Sequence, residues 1–113
     1  MIKLIDFFPL QGFLRPGQAA RLAVDLEAAA ATQAVVELSA YHLEKLIETR
    51  RYSVTVMAGV SRCELVWEPP PGVPRGYGLE LRLLDGGEHL PGQQTTAIDV
   101  LNDWRDYTRY RLL

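Results

Sequence analysis

Apolar and polar residues alternate one by one in this chain, in short blocks separated by clusters of proline and glycine. A strand sends successive side chains to opposite faces, so period-two alternation describes a ribbon with one face buried and the other wet. The clearest block sets Ala20, Leu22, Val24 and Leu26 against Arg21, Asp25 and Glu27. The same rhythm returns in Ala34, Val36 and Leu38, in Tyr52, Val54 and Val56, in Cys63, Leu65 and Trp67, in Tyr77, Leu79, Leu81 and Leu83, and in Thr96, Ile98 and Val100. With a first strand over residues 2–8, about seven strands are expected. The intervening Arg15-Pro16-Gly17-Gln18, Ala58-Gly59, Pro69-Pro70-Pro71-Gly72 and Asp85-Gly86-Gly87 supply the dihedral angles that end one strand and aim the next. Short strands at this spacing predict an all-β antiparallel sandwich.

Two stretches do not alternate. Residues 28–31 are a run of alanines, read as a loop. Over residues 41–51, Leu43, Leu46, Ile47 and Arg50 fall at helical offsets, and an irregular edge with one helical turn is expected there. Tyr77 opens a strand directly after the proline-rich stretch. An immunoglobulin-like sandwich has its tyrosine corner at this point, with the ring in the core and the hydroxyl capping the preceding loop.

The bulk numbers narrow function mainly by exclusion. A chain of 113 residues holds one core, and a net charge of −2 gives no electrostatic footing for nucleic acid. No stretch approaches the roughly 20 apolar residues of a membrane span. Asp6 and Pro9 interrupt the opening segment before it reaches the length of a signal-peptide core. A single cysteine, Cys63, is in phase with Leu65 and Trp67 and reads as a core side chain. His42 falls at the end of a strand and His89 in a loop, without the spacing of a metal site. The carboxylates lie mostly on the polar faces of strands, and Asp85 and Glu88 flank a glycine turn. No catalytic residue, metal ligand or cofactor site is assigned.

The carboxy-terminal stretch is of another kind. Ala97-Ile98-Asp99-Val100 leads into Asp103-Trp104-Arg105 and then Tyr107-Thr108-Arg109-Tyr110. Together with Phe7-Phe8-Pro9, Phe13-Leu14-Arg15-Pro16-Gly17, Trp67-Glu68-Pro69-Pro70 and Gly76-Tyr77-Gly78, this order resembles the N-terminal immunoglobulin-like domain of the dextranase and cycloisomaltooligosaccharide glucanotransferase family of bacterial glycoside hydrolases, family 66. In that family a similar series leads from a sandwich into a catalytic (β/α)8 barrel, with proline before the Arg-Tyr pair and glycine after it; this chain has Thr108 and Arg111. The resemblance implies a sandwich over residues 1–103 and an exit segment over 104–113 that runs toward a barrel. It also implies a parent enzyme that processes α-1,6-glucan outside the cell, with its catalytic carboxylates in the barrel and none in this chain.

Trp104, Tyr107, Arg109 and Tyr110 are accordingly the expected docking residues, facing the barrel of the parent enzyme or a second copy of the chain. Aromatic side chains and arginine are enriched where two protein surfaces meet. The alternative for the same stretch is a carbohydrate-binding module, with Trp104, Arg105 and Tyr107 contacting α-glucan through ring stacking and hydrogen bonds. An orphan protein-interaction domain is the remaining alternative.

Overall fold

Seven strands account for nearly all the structure of the computed structural model, which describes residues 2–70, 75–85 and 87–101. They are β1 (Ile2–Pro9), β2 (Ala20–Ala28), β3 (Thr32–His42), β4 (Lys45–Val56), β5 (Gly59–Trp67), β6 (Arg75–Asp85) and β7 (Glu88–Val100). One sheet has the order β1-β2-β5 and the other β4-β3-β6-β7, and every neighbouring pair is antiparallel. The predicted all-β sandwich is the fold observed. In the constant-type immunoglobulin arrangement the fourth strand joins the sheet of the first two; here β4 pairs with β3 instead.

The alternation decides which faces meet. Leu22, Val24, Leu26 and Leu65 from the smaller sheet pack against Val36, Leu38, Val56, Leu79, Leu81 and Ile98 from the larger, all buried. Trp67 has no exposed surface, and its ring stands edge-on to Tyr77 with centroids 5.3 Å apart. Both aromatics therefore add packing energy beyond the area they bury. The ring half of the tyrosine-corner expectation is met by this burial; the loop that its hydroxyl would cap includes residues 71–74, outside the described residues. Residues 29–31 form the loop between β2 and β3, whereas Ala28, expected in that loop, ends β2 and is buried.

On the β4/β5 flank the two sheets are tied by side chains. Cys63 Sγ donates to Thr55 O (3.5 Å), Tyr52 OH to Val66 O (3.0 Å) and Trp67 Nε1 to Glu48 Oε1 (2.6 Å). Cys63 is half-buried against the core, as its phase predicts, and burial pushes its thiol pKa up.

Three sequence expectations need correction. Residues 41–51 contain no helical turn: β3 runs to His42, the chain reverses at Leu43-Glu44, and β4 begins at Lys45. Both turn residues have positive φ, 51° and 66°, as a two-residue hairpin matched to the right-handed strand twist requires. The helical offsets of Leu43, Leu46 and Ile47 arose because a β-bulge beside Ala40/Tyr41 breaks the two-residue rhythm there. His89 is not in a loop but pairs with Leu84 inside β7, because β6 runs to Asp85 and β7 resumes as early as Glu88, directly opposite it. β7 also starts well before Thr96 and passes through Pro91, which falls in the register break opposite Arg82/Leu84, where a strand tolerates proline. A bulge at Ile5 likewise shifts β1, so that Ile2 and Leu4 and then Phe7 face inward.

Candidate docking site at the exit end

Antiparallel pairing brings one set of strand ends together. Pro9, Ala20, His42, Lys45, Trp67, Arg75 and Val100 all lie at the end of the sandwich where β7 finishes. The predicted docking and sugar-contacting residues, Trp104, Arg105, Tyr107, Arg109 and Tyr110, lie outside the described residues. What the structure does define is how the chain is held on its way to them.

Residues 10–19 form a strap across this end. Arg15-Pro16-Gly17-Gln18 makes the predicted turn: proline presets the first central residue, Gly17 has φ 85°, and Gln18 N donates to Arg15 O at 3.0 Å. A type II turn has this form. Gln11 secures the base, accepting from Arg21 N at 2.9 Å and donating to Ala19 O at 3.1 Å. Leu10 N adds a bond to Arg21 O at 2.8 Å. Between these anchors Leu14 inserts fully into the core and forms a parallel bridge with Val100. Its N–H donates to Asp99 O at 2.8 Å and its carbonyl accepts from Leu101 N at 2.7 Å. Leu101 is itself buried, so the chain is held at a fixed point just beyond β7.

Next to that point stands the β3–β4 hairpin tip. His42 Nδ1 lies 3.0 Å from Gly76 O, tying the hairpin to β6, and its ring packs beside Tyr77. Beyond it Leu43 is 86% exposed, Leu46 52% and Ile47 37%. Leu46 and Ile47, with His42, Lys45 and Pro70, line a depression of about 430 Å³. The sequence reading missed the tip, since a leucine has the same letter whether it faces core or water. A break in alternation followed by a two-residue reversal was the available signal.

The carboxylates are engaged in ion pairs on the outer faces. Asp25 takes two bonds from Arg62, 2.7 and 3.1 Å, and Arg62 hydrogen bonding holds its pKa below the usual carboxylate range. Glu37 is bonded by His89 at 2.6 Å and by Arg51 at 3.1 Å, and the His89 bond, helped by Arg51, lowers its pKa. A general acid needs the opposite shift. Asp85 and Glu88 are both exposed and form the pair that closes the β6–β7 hairpin. No group of three histidine, cysteine or acidic side chains suited to a metal ion occurs among the described residues, and they include no helix long and apolar enough to cross a membrane.

The family model for glycosyl hydrolase family 66 matches residues 11–113, from the strap through β2–β7 to the tail, leaving out β1. The chain belongs to glycosyl hydrolase family 66. This family-66 chain is similar in structure to a cycloisomaltooligosaccharide glucanotransferase of Paenibacillus sp., solved in complex with cycloisomaltoheptaose, with a TM-score of 0.73 and 23% sequence identity. It also resembles a β-glucosidase from Erythrobacter marinus, with a TM-score of 0.62 and 13% identity. The similarity covers 92% and 89% of the family-66 chain but 15% of each of those two chains, so the sandwich corresponds to a small part of either enzyme. At these identities the likeness shows the fold alone. None of the curated proteins compared with it matches the chain.

Proposed function

We propose that this chain is a non-catalytic accessory sandwich of a family-66 α-glucan-processing enzyme, which packs on a catalytic barrel and stabilises it. The observation that carries the reading is the family match through residue 113 in a chain equal to 15% of a related enzyme. Three features support it. Asp25 and Glu37 are tied into ion pairs that favour the ionised form, which suits a solvated surface better than an acid catalyst. A similar sandwich forms part of a second enzyme whose name gives a different activity, as expected of a part that does not carry out the reaction. The strap holds β7 through Asp99 and Leu101, and in this reading the sandwich region is residues 1–103 and the exit segment residues 104–113.

In this reading Trp104, Tyr107 and Tyr110 are the aromatic anchors on the barrel and Arg109 supplies hydrogen bonds. Docking works by burying apolar and aromatic surface at a joint whose direction the strap has already set. The enzyme acts outside the cell, where polymeric α-glucan is accessible.

The test is a polypeptide that continues from Leu113 into the family's catalytic domain. Cooperative docking gives one calorimetric transition, and Trp104→Ala splits it into two while the sandwich keeps its own unfolding midpoint. Two independent transitions before any substitution would refute docking. Turnover of α-1,6-glucan by the 113-residue chain alone would refute the non-catalytic role.

A further inference from the structure

The β3–β4 hairpin tip breaks two rules of local structure at one place. Two-residue reversals with positive φ at both positions are normally built from asparagine and glycine, because a Cβ in the left-handed region collides with the following carbonyl. This one is built from Leu43 and Glu44. A leucine that occupies an unfavourable backbone conformation is expected at least to bury its side chain, yet Leu43 is the most exposed large apolar residue described. Neither choice helps the isolated sandwich. Strain combined with exposed apolar surface marks a position whose benefit lies in contact with something else.

Position in the sheet identifies what that is. The order β4-β3-β6-β7 puts the ends of β3 and β4 two and three strands from the end of β7, roughly 10–15 Å at ordinary strand spacing. Residues 102–113, which follow the buried Leu101, span at most about 40 Å even if fully extended. In the accessory-domain reading a catalytic domain joined through these residues is therefore within reach of the tip. The size of the patch agrees with a tethered occupant. Leu43, Leu46 and Ile47 are far fewer than the roughly 20–30 residues a side that a stable association of separate molecules engages. A short tether supplies a millimolar effective concentration, at which even a weak contact is occupied.

We propose that the β3–β4 hairpin tip is a second docking contact, in which Leu43, Leu46 and Ile47 seat against an apolar surface of the catalytic domain that follows this sandwich. The inference rests on the accessory-domain reading and adds to it an anchor remote in sequence from the aromatic tail. Two contacts fix an orientation, which one alone does not.

Hydrogen exchange measured on the polypeptide that continues into the family's catalytic domain, and on the 113-residue chain, tests it. Amides of residues 43–47 are expected to exchange about tenfold more slowly in the longer polypeptide, the protection that a millimolar tether gives a weak contact. Leu43→Ser with Leu46→Ser removes that protection at the tip while residues 102–113 stay protected. Leu43→Asn with Glu44→Gly gives the turn its preferred residues; it too loses tip protection, while the melting midpoint of the 113-residue chain rises, so unfolding is not the cause. A protected tail with a tip that exchanges equally in both molecules would overturn the inference and leave the docking reading standing. An unprotected tail and tip would overturn both. Tip protection that grows with concentration in the 113-residue chain would identify a second copy as the occupant and overturn the assignment to the catalytic domain.

Discussion

Replacing Leu14 with alanine tests whether the strap over residues 10–19 is held by its side chain or by its backbone. Leu14 has no exposed surface and belongs to the single cluster formed by both sheets, so the substitution removes buried carbons and leaves a cavity. Such a change costs about 2–5 kcal/mol, the spread reflecting how far the surroundings collapse. The two backbone bonds of Leu14, to Asp99 O and from Leu101 N, survive in principle and keep the strap in place, and a cost of about 3 kcal/mol, within that range, is expected. At roughly 4 °C per kcal/mol for a domain of this size, the midpoint falls by about 12 °C. Urea unfolding gives the free energy, and hydrogen exchange at the Leu101 amide reports whether the strap lifts locally before the sandwich opens. Leu10→Ala is the control: Leu10 is partly exposed on the same strap and its loss is expected to change stability by under about 0.5 kcal/mol. A Leu14→Ala cost under about 1 kcal/mol with full Leu101 protection would refute side-chain anchoring and assign the strap to its backbone bonds.

Other expectations concern the outer face and the β4/β5 flank. Glu37 has a lowered folded-state pKa, so its bonds to His89 and Arg51 stabilise above the ordinary value of 4.5 and are lost as pH falls through the lowered one. The difference in melting midpoint between the natural chain and Glu37→Gln should shrink from neutral pH to about pH 3; a constant gap would contradict the pairing. Trp67→Phe deletes the Nε1–H donor to Glu48, a bond to a charged acceptor worth about 1.5–3 kcal/mol, and should lower the urea midpoint without changing the slope. An unaltered midpoint would count against that bond. Burial raises the Cys63 pKa, so disulfide reagents at mildly alkaline pH should label the native thiol at least about tenfold more slowly than the unfolded one, and equal rates would disprove its enclosure.

The sheet faces were legible because one physical rule governs them. Every inward residue read from β2, from Ala20 to Leu26, is buried, and β6 repeats this from Tyr77 to Leu83. Legibility failed where a bulge changed the phase. Ile5 in β1 and the shift beside Ala40/Tyr41 each insert a residue, and the second turned a hairpin into an apparent helical turn. The sequence carried no Asn-Gly at the reversal to correct the error, since Leu43-Glu44 is an unusual pair for two positive φ angles. The strap was half legible: Pro16-Gly17 announced a turn, but a lone apolar Leu14 gives no sign of pairing with a strand eighty-odd positions later. The docking residues of the tail were read from composition and family resemblance, and they lie outside the described residues. The hairpin tip needed coordinates, because exposure is a property of the folded surface.

The two flanks of the sandwich are closed by different means, and sequence drift should treat them differently. The seam between β4 and β5 depends on the chemical identity of Cys63, Tyr52, Trp67 and Glu48, so single replacements loosen it one stitch at a time. The seam beside β7 uses main-chain groups of Leu14, Asp99 and Leu101, which any residue but proline supplies, and asks only for something oily in one socket. Relatives of this chain can thus diverge widely along one side and still send the polypeptide out of the sandwich on the same heading.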